Sequence, residues 1–274
     1  MRALLAPFAL LALCSVARGD ERACDRARST GMKDGPVVIG LYDADLGAGV
    51  SACVRREVSL YERAGLVIDL KGLYGDVRAD TILAAAFPLG HHVALLAAVE
   101  VVHYELAVNA VVKAHALGLG QSTLGLAGRV LETRRFALTV YGRVLVPTDT
   151  STTTVQTTGA DAGVSGTFRP RIDVELHAQL GGDFTIGLAD GPSSARGGVT
   201  ALVGLQYTPA RWFALVVDVA AMLGHRGVFD GILPAVGLRF RVWRGLGLEL
   251  AGTAPLGGAE RRLALAALSL HFRF

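Results

Sequence analysis

Apolar residues recur at every second position over much of this 274-residue chain. The cleanest stretch is the last one, 263–274. There Phe274, Phe272, Leu270, Leu268, Ala266 and Ala264 alternate with Arg273, His271 and Ser269. A period of two puts the two sets on opposite faces of one extended segment. The same rhythm runs through residues 64–74, 77–87, 93–101, 118–131, 136–146, 172–180, 184–188, 199–207, 213–221, 236–242 and 246–250. Together these predict about twelve strands.

The breaks between strands fall into two kinds. Pro88–Gly90, Glu132–Arg135, Gly181–Asp183, Thr208–Arg211 and Trp243–Gly245 are short and carry turn residues. Residues 147–168, rich in Ser, Thr, Gly and Asp, read as the longest loop, with others at 224–232 and 254–262. Residues 104–117 have no clear period and read as loop, and Gly75–Asp76 reads as a short turn where a long one is expected. The uncharged run 81–99 is not a spanning helix, because Pro88 and Gly90 cut it into halves too short to cross a bilayer.

A terminal Phe preceded by alternate apolar residues resembles the closing strand of bacterial outer-membrane β-barrels. That resemblance implies that the barrel-assembly machinery reads Phe272 and Phe274 as its signal. An even strand count with alternating short and long connections fits the same class: an all-β, antiparallel, up-and-down transmembrane barrel with short periplasmic turns. The aromatics Phe87, Phe136, Tyr207, Trp212, Phe213, Phe240, Trp243, Phe272 and Phe274 all lie near the short turns. They predict one interfacial girdle on the periplasmic side. The stretch 118–150, GLGQSTLGLAGRVLETRRFALTVYGRVLVPTDT, is similar to part of the phenol meta-pathway-type outer-membrane proteins, a group associated with transport. It covers about two strands, and the first third of the chain lacks the pattern.

Composition refines this picture. A positive start at Arg2, an apolar core from Ala3 to Leu13, and Ser15-Val16-Ala17 read as a signal peptide over residues 1–17. Leu13 is too bulky for the position before a lipidated Cys14. Residues 18–57 read as a periplasmic leader at the barrel mouth, and 58–274 as the barrel. Export to an oxidising compartment leaves Cys24 and Cys53 as a disulfide pair. The net charge of +3, without a basic run, gives no case for nucleic acid.

The face opposite the apolar one carries the candidate chemistry. Asp69, Asp80, Glu100, Asp173, Glu175, Asp218 and Glu249 are balanced by Lys71, Arg129, Arg143, Arg171, Arg239, Arg241 and Arg273. Buried charges persist when paired, so these predict either an ion-pair ladder filling a narrow lumen or the lining of a solute path. Ser269 and His271 have the spacing of a membrane hydrolase pair but face inward, away from lipid. His91-His92 lacks a third ligand, and no phosphate-binding loop is present. No cofactor, metal site or catalytic set is therefore expected. The expected protein is an outer-membrane barrel of a Gram-negative bacterium, lodged among outer-membrane lipid. Its role would be a passive channel or transporter for small solutes; the alternative is a non-conducting, ion-pair-filled barrel.

Overall fold

A computed structural model describes residues 22–25, 32–37, 50–54, 56–69, 74–90, 92–108, 113–148, 150, 157–188, 195–223, 231–253, 256–258 and 261–273. Its strands are β1 (Glu57–Asp69), β2 (Tyr74–Pro88), β3 (Val93–Val108), β4 (Lys113–Gly118), β5 (Ser122–Glu132), β6 (Phe136–Val146) and β7 (Thr157–Arg171). Then follow β8 (Val174–Gly187), β9 (Ala195–Ala210), β10 (Phe213–Leu223), β11 (Gly231–Trp243), β12 (Leu246–Thr253), β13 (Gly257–Gly258) and β14 (Arg261–Arg273). All pairings are antiparallel, and β1 pairs with β14 from Glu57↔Arg273 to Asp69↔Arg261, which closes the sheet on itself. Strand β4 pairs with the far half of β3 and β5 with its near half, so the two occupy one position in the wall. The two-residue β13 likewise extends the position of β12 against β11. The result is a closed antiparallel barrel of twelve strands.

Burial is inverted relative to a water-soluble protein. Leu126 and Val203 on the outer face are 53% and 60% exposed, whereas Glu175, Asp218 and Arg239 are 1%, 0% and 2% exposed. Long apolar rows such as Leu176, Leu180, Val203, Leu205, Val217 and Val219 cover the outside. In water a continuous apolar surface of that kind would drive association; in a bilayer it is the lipid-facing wall. The wall suits this role, because closure satisfies its backbone hydrogen bonds with no free edge.

The count of twelve agrees with the sequence reading, but several strands differ in extent. Residues 157–168, expected as loop, are most of β7. Gly181–Asp183, expected as a turn, lies inside an unbroken β8, so one strand was missed and another divided. The physical reason is a shared space. Gly163 on β7 faces Gly181 on β8 in register, and Tyr141 of β6 lays its phenol over both. A Cβ on either glycine would come within 2.6 Å of Tyr141 Oη. The glycines are there to receive a side chain, not to bend the chain.

Of residues 104–117, expected as loop, 104–108 are instead the far end of β3 and 113–117 all but the last residue of β4, paired from His103↔Gly118 to Val108↔Lys113, while 109–112 lie outside the described residues. Gly75 and Asp76 lie in β2, and the connection they were expected to make falls at residues 70–73, outside the described residues.

Candidate functional site: the lumen and its internal segment

Residues 22–54 do not sit outside the barrel mouth where described. They enter the lumen from the short-turn end. The Ala23 N–H donates to Thr133 O at 2.9 Å and the Cys24 N–H to Glu132 Oε1 at 3.1 Å, both at the β5–β6 turn. Cys24 and Cys53 form a disulfide, with Sγ atoms 2.12 Å apart, packed with Ala23 and Ala52 on Ala137 of β6. Just inside, Thr139 donates its hydroxyl to Ala52 O at 2.7 Å, and the Val50 N–H donates to Gln179 Oε1 at 3.0 Å. The disulfide therefore closes a loop whose two legs both rest on β6, and whose described residues 32–37 and Val50 lie against lumen side chains.

The first leg meets the charges of the wall. Arg239 on β11 is the centre of this contact. Its guanidinium donates to Glu249 on β12, to Gln206 Oε1 on β9, and to three carbonyls of the internal segment: Lys33, Gly35 and Pro36, at 3.1, 2.8 and 2.9 Å. The Gly35 N–H donates to Glu175 Oε1 at 2.9 Å and the Val37 N–H to Asp218 Oδ2 at 2.6 Å. Asp34 accepts from Arg169 Nη2 at 2.6 Å, and Arg169 also pairs with Glu175. Lys33 Nζ lies 3.9 Å from Glu249 and 3.4 Å from His271 Nε2. Burial lowers the Lys33 pKa below the usual lysine value, and Glu249 opposes the shift. Wall and segment thus satisfy most of each other's polar groups, as a buried polar interface requires.

Two glycines make room for this arrangement. His177 on β8 bonds Asp218 on β10 at 2.6 Å across the intervening β9, where Gly204 pairs with both residues. A Cβ on Gly204 would stand 1.8 Å from Asp218 Oδ1 and 2.3 Å from His177 Nε2. On β11, a Cβ on Gly237 would meet Val37 Cγ2 at 2.6 Å, so Gly237 is the seat of the internal segment's Val37.

The structure sorts the charges that the alternation assigned to the lumen. Asp80, Arg143, Glu175, Asp218, Arg239 and Glu249 are buried inside, and Glu100 is half-buried beside them. Arg143 grips Asp161 through Nε at 3.0 and 3.1 Å and through Nη2, beside the Tyr141 ring. Arg129 pairs with Glu132 at 2.7 Å, and Arg273 with Glu57 at 2.8 Å, near the short-turn end. Arg241 is half-buried by the Arg244–Gly245 turn. Arg171 is a correction: its side chain is 75% exposed and pairs with Asp173 at 3.1 Å on the β7–β8 turn. It leaves the lumen because β7 extends to residue 171 and turns there. The side chains of Asp69 and Lys71 lie outside the described residues.

Alternation misses Arg169, Gln206, Asp161 and the segment residues Lys33 and Asp34, and it places His177 and Gln179 on the inner face but outside the charged set. The strand β8 reading held the signal for His177 and Gln179, which share a face with Glu175. Polarity without formal charge hid them. Nothing local marks Lys33 and Asp34.

The aromatic residues Phe87, Tyr207, Trp212, Trp243 and Phe272 are exposed on the outer wall near the short-turn end, and Phe136, Phe213 and Phe240 are half-buried beside them. Phe213 stacks on Phe240 with centroids 5.4 Å apart and lies 5.7 Å from Trp212. Phe274 lies outside the described residues. Ser269 Oγ lies 3.0 Å from His271 Nε2, and His271 Nδ1 lies 3.3 Å from Glu57 Oε1. That order resembles a nucleophile, base and acid. Both Ser269 and His271 are 2% exposed, however, and Lys33 Nζ faces the same Nε2, so the arrangement works as part of the segment's seat.

A closed, lipid-facing barrel with a polar, segment-bearing lumen defines the class: a transmembrane β-barrel of the outer-membrane type. No protein-family model matches the chain, and no curated protein matches it either. Solved structures do resemble it. An outer-membrane channel from Pseudomonas putida F1 superposes with a TM-score of 0.59 at 11% identity, over 87% of this chain and all of that one (100%). The translocator domain of the autotransporter NalP from Neisseria meningitidis gives 0.54 at 13% identity, over 80% and 88%. The toluene transporter TbuX from Ralstonia pickettii gives 0.51 at 9% identity, over 89% and 97%. The fold is thus one that outer-membrane channels, transporters and translocators share.

Proposed function

We propose that this protein is a gated outer-membrane channel of a Gram-negative bacterium, passing small solutes through a lumen that its internal segment, seen at residues 32–37 and 50–54, closes at rest. In this reading residues 1–17 are removed on export. The short turns and both ends of the barrel face the periplasm, the aromatic girdle lies at the periplasmic interface, and the longer loops face outward. The observation that carries the reading is the chemistry of the segment's contacts. Beside small apolar seats for Val37, Val50 and the disulfide, they are hydrogen bonds and ion pairs to lumen side chains that would line a wet path if the segment left. Such contacts can be exchanged for water, whereas an apolar core cannot. The disulfide keeps the segment a single closed loop that moves as a unit.

Gly237→Leu tests this directly, since the new side chain strikes Val37 rather than any wall ion pair. In planar-bilayer recordings the variant should show frequent or lasting openings where the natural protein is mostly closed. The variant barrel should keep its heat-modifiable migration. Equal, negligible conductance in both proteins would favour the non-conducting filled barrel instead.

The assembly role of the closing strand has its own test. Deleting Phe274 should leave export intact and sharply lower the fraction of heat-modifiable, membrane-inserted protein. Undiminished insertion would remove Phe274 from that role.

A further inference from the structure

The outer half of the lumen holds a cluster of two carboxylates and an imidazole, away from the contacts described for residues 32–37 and 50–54. Asp80 on β2 and Glu100 and His103 on β3 bring their donor atoms within 4.8 Å of one another. Asp80 and His103 are buried and Glu100 is half-buried. Asp80 Oδ1 lies 2.8 Å and Glu100 Oε1 3.1 Å from His103 Nδ1.

The backbone is built to make this cluster. In a regular strand Glu100 and His103, three apart, would point to opposite faces. The β2–β3 register steps from Thr81↔Val102 to Ile82↔Glu100, leaving Val101 as an extra residue. Val101 and Val102 are consecutive and both exposed, at 41% each. This bulge re-aims one side chain, so that Glu100 and His103 both face inward; bulges are frequent beside functional sites for that reason. Gly120 supplies the room: a Cβ there would stand 1.9 Å from Glu100 Oε2. The Gln121 N–H donates to the same Oε2 at 3.2 Å, which fixes the carboxylate and turns Oε1 toward the imidazole.

We propose that Asp80, Glu100 and His103 bind one divalent transition-metal ion of the Zn²⁺ class, a site separate from the gating read above. One imidazole nitrogen with two carboxylate oxygens is a donor set for such an ion, with a fourth position left for water or a solute group. Ca²⁺ and Mg²⁺ favour all-oxygen shells with more ligands. Two carboxylates beside a neutral imidazole balance the ion's charge within a poorly solvated lumen. The two carboxylate–imidazole separations, 2.8 and 3.1 Å, need only widen by a few tenths of an ångström, since tetrahedral bonds of about 2.0–2.1 Å place ligand atoms roughly 3.3 Å apart.

The test uses the untagged, full-length barrel in detergent, titrated with Zn²⁺ and, for its visible spectrum, Co²⁺. The expected result is one ion per chain, with X-ray absorption showing an imidazole nitrogen and oxygen ligands on the zinc. Asp80→Asn and His103→Gln should abolish binding while heat-modifiable migration shows the barrel intact. If those variants do not fold, the X-ray absorption of the natural protein and the half-buried Glu100→Gln decide the matter. No stoichiometric ion, a zinc shell without imidazole, or unchanged binding in folded variants would each overturn the proposal. The cluster would then be a hydrogen-bonded triad alone.

Discussion

Replacing Arg239 by Gln is expected to cost about 3–5 kcal/mol of barrel stability, because removing one partner strands the other charge in a dry interior. Among the described residues Glu249, 1% exposed, then keeps Lys33 alone as a cationic partner, at 3.9 Å. The carbonyls of Lys33, Gly35 and Pro36 lose their donor together. The same change should therefore loosen the segment, and channel openings should rise along with the loss of stability. Glu249→Gln removes the opposite partner and should also destabilise. The double variant should recover part of the loss, with a coupling of about 1–3 kcal/mol, since neither charge then stands alone. Recovery stays partial because the three carbonyls still lack a donor. Denaturant titrations followed by heat-modifiable migration give the three values, and bilayer recording of each gives the openings. Near-zero coupling, with only a shift in ion selectivity, would mean that Arg239 and Glu249 face an open, water-filled pore.

The second large effect is expected at the disulfide. Cys24 and Cys53 are 29 residues apart. On the chain-entropy account a loop of that length stabilises by about 3–4 kcal/mol, an amount that Cys24→Ser with Cys53→Ser should remove. The functional consequence is separate from stability. With the bond intact, both legs of the loop are tied at the Ala137 seat, and the segment can leave the lumen only as a whole. Without it, the first leg is held by its lumen contacts and by the Ala23 and Cys24 hydrogen bonds to the β5–β6 turn. Adding a reductant during bilayer recording should convert brief openings into long ones. Alkylation followed by mass spectrometry should label neither cysteine before reduction and both afterwards. Labelling of both with unchanged gating would separate the bond from any control of the lumen.

The aromatic girdle and the inner charges illustrate what a local pattern can carry. A period of two needs only neighbours in sequence, so the faces of β6, β10 and β11 were legible directly, down to Arg143, Asp218 and Arg239. Reading failed where the contrast between faces was small or the period slipped. Along β7 the inward residues Asp161, Ser165, Thr167 and Arg169 alternate with Ala160, Ala162, Val164, Gly166 and Phe168. Most of those outward residues are too small to announce a lipid-facing row. At the bulge near Val101 the period itself skips, so no alternation rule places Glu100 and His103 on one face.

Sequence alone determined most of the wall: the number of its strands and the extent of most of them, their lipid and lumen faces, the short-turn end marked by aromatics, and the two cysteines of the leader. Only the tertiary structure decided what occupies the lumen. The partners there lie far apart in the chain, Asp34 from Arg169 by 135 residues and Val37 from Asp218 by 181. Residues 32–37 have no period of their own, because their backbone bonds are made to wall side chains and not to a neighbouring strand. A barrel's closure fixes the shape of its interior, and that shape, a property of twelve strands at once, chose which segment could fill it.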